Sequence, residues 1–236
     1  LDRDTTEALT ALRASTERLL TTVAALDDHE LPQPSRLPGW TRAHVLTHLA
    51  RSSDSRTRLL AAARSNVTGR QYESEESRNR DIETGAQRDA TIVRVDLHEA
   101  FERFFRAVAE HPDDRWDAPA EWLGVGEAPV RRTIPSLRRE VEFHHVDLGA
   151  AYGPDDWPPE FVTDQLDAVL DSMSRKDDAP ALTIELGDGV RRIKDGGSLT
   201  VSGEPAHVLA WLSGRGDGAA LRTRPPRPLP EAPPLA

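Results

Sequence analysis

The 236-residue chain has no cysteine. Disulfides, thiolate metal sites and a cysteine nucleophile are thereby excluded, and any sulfur chemistry must use sulfur brought by another molecule. Lysine is nearly absent too. Lys176 and Lys194 are the only two among 30 basic residues, which leaves few candidates for Schiff-base chemistry. No apolar run approaches the roughly 20 residues that span a bilayer, and no signal-type leader is in view. Forty acidic residues give a net charge of -10 and a pI of about 5.3. Phosphate backbones and anionic lipid surfaces repel such a chain, so neither nucleic acid nor a membrane is an expected partner. What remains, 37% hydrophobic and 30% charged, is the balance of a globular protein with a real core, and a cytoplasmic location is the plain expectation.

The chain falls into two parts. "DTTE" offers Asp4 as a helix cap with Glu7 reaching back, and Leu9, Leu12, Leu19, Val23 and Leu26 follow at helical spacing. "LPQPSRLPGW" breaks the chain, and Thr41 caps a second helix running to about Arg64. The polar stretch from Ser65 to Gln87 begins as a loop and is helical in part. A third helix carries Val93, Leu97, Phe101, Phe104 and Val108. A loop through "GVGEAP" leads to a fourth, with Leu137, Val141, His144 and Leu148 along one side. Four helices with one apolar face each predict an N-terminal four-helix bundle over residues 1–153. Residues 154–236 predict a small α+β domain: a helix through Val162 and Met173, three short strands with hairpin turns, and a helix stopped by Gly214. "LRT" is a possible edge strand, and the proline-rich tail is expected to pack loosely. The fold class is α+β.

Two stretches carry chemistry. "HVLTHLA" puts His44 and His48 four residues apart, and "EVEFH" does the same for Glu140 and His144. That spacing places both members of a pair on one helix face, where imidazole nitrogen and carboxylate oxygen can converge on a metal. At about 100° per residue, His48 lies roughly 60° and His44 roughly 100° from the buried stripe of Val45, Ser52, Leu59 and Ala63. His48 is the inward candidate and His44 belongs at the rim. His144 shares the apolar stripe of its helix with Glu140 beneath it, and His145 is turned away. The competing reading is a hydrogen-bonded core histidine and an ordinary Glu–His ion pair. Against it stands the cost of burying Glu140 unpaired. His29, His98, His111 and His207 read as solvated.

"LPGWTRAHVLTHLA", with "RREVEFHHVDLG" about ninety residues later, resembles the mycothiol-dependent maleylpyruvate isomerase family within the DinB-like metal-binding bundles. "TVSGEPAHVLAWLSGR" is similar to that family's sterol-carrier-like second domain. The resemblance implies that His48, Glu140 and His144 bind a divalent metal, usually zinc, and that mycothiol supplies the thiol. It further implies a reaction in which thiolate adds to the cis double bond of maleylpyruvate, the new single bond rotates, and loss of the thiol leaves fumarylpyruvate. An arginine of the second domain is implied in catalysis, and Arg215 in "WLSGR" is the match, with Arg191, Arg192 and Arg222 as rivals.

Two histidines and a glutamate leave coordination positions open, as catalytic sites do. They also suit Fe(II), but the bundle setting favours zinc by analogy with the family. Trp40 in "PGW" reads as a cover for the bundle end or as a wall of the pocket mouth. Asp147 reads as a surface residue or as a hydrogen-bonding support for the ligands. The expected partners are mycothiol and a small-molecule substrate, with a monomer favoured. The alternatives are a mycothiol S-transferase acting on another electrophile, a non-catalytic metal or small-molecule binding module, and a protein in which these residues only pack.

Overall fold

Apolar side chains three and four residues apart give the long helices of the first part their buried stripes. In chain order the helices there are α1 (Arg3–Ala25), α2 (Arg42–Arg64), α3 (Glu75–Ala86), α4 (Ala90–Ala109) and α5 (Thr133–Asp147). The structure, a computed structural model, describes residues 2–231. The chain divides into two compact units, Leu1–Ala151 and Tyr152–Ala236.

In the first unit α2 packs on α3, α4 and α5, and α1 packs on α5. The shared core draws on Leu12 and Leu19 of α1, Val45, Leu49 and Leu59 of α2, Leu97, Phe101 and Phe104 of α4, and Leu137 and Val141 of α5. Each such side chain contributes about 1.5–3 kcal/mol on full burial, which is what holds the helices at the angles the site needs. Two local details depart from expectation. The cap of α1 is Asp2, which accepts a hydrogen bond from Thr5 N at 2.8 Å, and Glu7 pairs instead with Arg3. At α2 the cap is Thr41 as expected, but its reciprocal partner is a histidine: Thr41 N donates to His44 Nδ1 at 3.2 Å.

α3 lies against α2 because Gly85 has no side chain; a Cβ there would collide with Thr47 Cγ2. The expected loop through "GVGEAP" is in fact half of a hairpin. Strand β2 (Pro119–Trp122) pairs antiparallel with β3 (Gly126–Pro129), and β1 (Gly69–Arg70) adds in parallel on the other side of β2. Ala120 and Trp122 alternate inward and anchor this sheet on the helices.

The second unit opens with α6 (Pro159–Ser174), followed by β4 (Leu182–Leu186), β5 (Gly189–Ile193), β6 (Thr200–Ser202), α7 (Pro205–Leu212) and β7 (Arg222–Arg224). The sheet order is β5-β4-β6-β7. Only β4 and β5 form a hairpin of the expected kind. β6 runs parallel to β4 on its far side, so the chain passes through Gly196 and Gly197 and crosses β4 instead of pairing beside β5. "LRT" contributes the edge strand β7. The start of the tail is tied down, with Thr223 Oγ1 donating to Arg227 O at 2.7 Å. The rest of the tail expectation, from residue 232 on, lies outside the described residues.

Candidate metal centre

His48 stands in the second turn of α2 and Glu140 and His144 one turn apart on α5, so the packing of these two helices decides whether the three side chains meet. They do. One ligand atom from each lies within 4.8 Å of the other two, and this is the group of its kind among the described residues. Glu140 Oε2 is 2.9 Å from His48 Nε2 and 3.4 Å from His144 Nε2. The two imidazoles sit edge to face with centroids 4.5 Å apart. The side chain of His48 is 4% exposed and those of His144 and Glu140 are 15% and 18% exposed, so the cluster is sunk in the bundle without being fully sealed.

The charges around the cluster set the protonation of its three members. Burial, and then the neighbouring charge on His144, pushes His48 down to about 4, so its imidazole is neutral at pH 7. Burial alone would push Glu140 up. Hydrogen bonds from His144 and His48, with the Arg56 charge behind them, outweigh that and hold it well below the usual carboxylate range. Burial likewise works against a charge on His144, but Asp147 and Glu140 overcome it and raise its pKa. A divalent cation on these three residues would have to displace the proton that Glu140 and Asp147 favour on His144, leaving two imidazoles and a carboxylate as donors.

Four further side chains border the cluster. Asp147, 1% exposed, accepts from His144 Nδ1 at 2.8 Å and so turns Nε2 toward Glu140. Of the two readings of Asp147 the supporting role is the one the geometry gives. Arg56, 2% exposed, reaches Glu140 Oε1 at 3.5 Å while Ser52 Oγ and Ser136 Oγ hold its guanidinium at 2.6 Å each. Trp40 packs on the His48 ring with centroids 5.6 Å apart, so it borders the cluster. From α3, Arg78 Nη2 comes to 3.2 Å from His48 Nδ1.

The remaining histidines sort themselves. His44 is buried rather than at the rim, but outside the cluster: Nδ1 serves the α2 cap and Nε2 meets Glu83 Oε2 at 3.1 Å. His145 turns toward α1, where Nε2 lies 2.8 Å from Thr22 Oγ1. His111 was expected to be solvated and is instead 7% exposed, packed on Trp116 with centroids 4.5 Å apart. In the second unit Arg215 Nη1 donates to Ser213 O at 2.9 Å. Its rival Arg191 is committed to Asp167 and Asp188. Arg56 and Arg78 were missed by the sequence reading. Arg56 had a signal, since His48, Ser52 and Arg56 follow one another at intervals of four on one face of α2.

Residues 12–149, more than half of the chain, match the family model of the mycothiol maleylpyruvate isomerase N-terminal domain. The chain belongs to this family. It is the family that the two histidine stretches resemble, and the matched span contains all three cluster residues. Two crystal structures share the fold, one of the mycothiol-dependent maleylpyruvate isomerase and one of a histidine-to-alanine mutant of it. Each is 24% identical, with 98% of this chain and 97% of that chain covered and a TM-score of 0.92. At that identity the likeness is one of fold. No curated protein matches the chain. No helix among the described residues is long and apolar enough to cross a membrane.

Proposed function

We propose that this protein is a mycothiol-dependent cis–trans isomerase acting on maleylpyruvate or a similar cis-enoic acid, with zinc held by His48 Nε2, Glu140 Oε2 and His144 Nε2. The observation that carries the reading is the convergence of one donor atom from each of those three residues within 4.8 Å, in a chain of this family. A divalent cation there supplies Lewis acidity that favours thiolate over thiol near neutral pH.

Isomerisation by a thiol asks three things of the protein: a thiolate, a cis-enoic acid held beside it, and positive charge where enolate character develops. The chain's own residues answer the first by geometry. Asp147 fixes the tautomer and direction of His144, Arg56 occupies Glu140 Oε1 so that Oε2 faces the histidines, and Trp40 packs on the His48 ring. The thiol comes from mycothiol, in keeping with a chain that has no cysteine. For the third, Arg215 is assigned by the family resemblance, and a guanidinium suits a carboxylate or an enolate equally.

The test is direct. Zinc-replete protein is mixed with maleylpyruvate and mycothiol, and loss of the cis acid and gain of fumarylpyruvate are followed. Conversion that needs both zinc and mycothiol is expected. A stable thioether in place of the trans acid would make the protein an S-transferase. No change in the cis acid, with mycothiol failing to perturb the loaded site, would reduce it to a binding module.

A further inference from the structure

Arg78 differs from the other arginines at the cluster. It lies on α3, half-buried, with Nη2 3.2 Å from His48 Nδ1, Nη1 2.9 Å from Asn79 Oδ1, and its guanidinium 6.0 Å from the Tyr72 ring. Arg56 is consumed by Glu140, Ser52 and Ser136, and two residues along α3 Arg80 takes Glu76. Among the described residues no carboxylate pairs with Arg78. Acidic groups outnumber basic ones 40 to 30, so partners are in surplus and a guanidinium beside the cluster without one has donors to spare.

Its contact with His48 also has a consequence for the ring. A guanidinium has N–H donors and no acceptor, so His48 Nδ1 must be the acceptor. The ring proton is then on Nε2, where it is donated to Glu140 Oε2 at 2.9 Å. That tautomer cannot ligate through Nε2. Ligation leaves the proton on Nδ1 instead, and two N–H groups would then face each other. The Arg78–His48 contact and a filled cluster exclude one another.

We infer that Arg78 is a carboxylate-binding residue of this site, engaged by His48 while the cluster is empty and released to an organic acid when the cluster is filled. The planar fork of its spare N–H groups matches the two oxygens of a carboxylate. The inference rests on the proposed function in taking a cation on the three-residue cluster and a small carboxylic acid as the ligand. It makes acid binding depend on cation loading through a residue that touches no cation.

The experiment uses the full chain, zinc-loaded and metal-free, with maleate as the probe in titration calorimetry. Three proteins are compared: wild type, Arg78→Met, which keeps the aliphatic stem, and Arg78→Lys, which keeps the charge. Loaded wild type is expected to bind maleate about tenfold or more tighter than the metal-free form. Loaded Arg78→Met is expected to lose about tenfold or more of that affinity, with Arg78→Lys between the two. Chelator competition supplies a second readout: Arg78→Met should hold zinc at least as tightly as wild type, since no contact with His48 has to break. Maleate binding by loaded Arg78→Met equal to wild type overturns the inference. So does failure of loaded wild type to bind maleate, or loss of zinc from Arg78→Met, which would make Arg78 a prop for His48. If maleate follows the expected pattern while maleylpyruvate is not isomerised, the proposed reaction falls and the role of Arg78 stands. Isomerisation by Arg78→Met with a wild-type KM does the reverse.

Discussion

Glu140 has two oxygens, and each meets different chemistry. Oε2 faces both histidines and Oε1 faces the guanidinium of Arg56, so the carboxylate is directed to offer one oxygen to the cluster. The same division governs His144, whose Nδ1 is held by Asp147 and whose Nε2 is left for the site. Removing either support should loosen the ligand it directs. Asp147→Asn is expected to lower zinc affinity about ten- to hundredfold by chelator competition, with Arg56→Met changing it in the same direction. Unaltered affinity in both variants would mean that the supports are incidental. At this scale the sequence was readable where a residue sat on an apolar stripe. His48, Glu140 and His144 could be picked because helical spacing and burial agree for them. Arg56 sits on the same face as His48 and could have been found by asking why an arginine occupies a buried stripe. Arg78 could not, because its place depends on how α3 docks, and that turns on the bare Gly85 meeting Thr47.

Between α1 and α5 runs a polar seam inside the core. Glu142, fully buried, accepts from Ser15 Oγ at 2.5 Å and from Arg18 Nη2 at 2.7 Å, and His145 meets Thr22 one turn along. Burial, and then the Arg18 charge, pushes His145 from 6.5 down to about 3, so it folds neutral. The sign of the pH effect follows. Below pH 6.5 the unfolded chain takes up a proton that the folded chain refuses until about pH 3, so stability is full above 6.5 and falls as the pH drops between those values. Wild type is therefore expected to lose thermal stability from pH 6.5 toward 4, and His145→Gln, which cannot titrate, to lose less over that interval. Parallel slopes for the two proteins would count against a neutral His145. Long helices were legible from the sequence because their periodicity repeats over several turns. The β2–β3 hairpin was not, since four residues such as Gly126–Pro129 are too short to show alternation. The parallel placement of β6 beside β4 was hidden for a related reason, as "GG" reads equally as a turn or a crossover.

Across the whole chain two kinds of likeness have different reach. The family match ends at residue 149, inside the first unit, and the likeness of fold covers 98% of the chain. The cluster lies in the part that both cover, whereas Arg215 lies in the part reached by fold alone. The proposed cation on His48, Glu140 and His144 is thus the point on which the proposed thiol activation, the exclusion of Arg78 from His48 and the supporting roles of Asp147 and Arg56 all depend. Its most direct measurement is elemental analysis of the purified full-length protein after zinc loading and dialysis, beside His48→Ala and Glu140→Gln. Close to one equivalent of zinc in wild type and almost none in either variant is the predicted result. A wild type that retains no metal, or variants that retain as much as wild type, would contradict it.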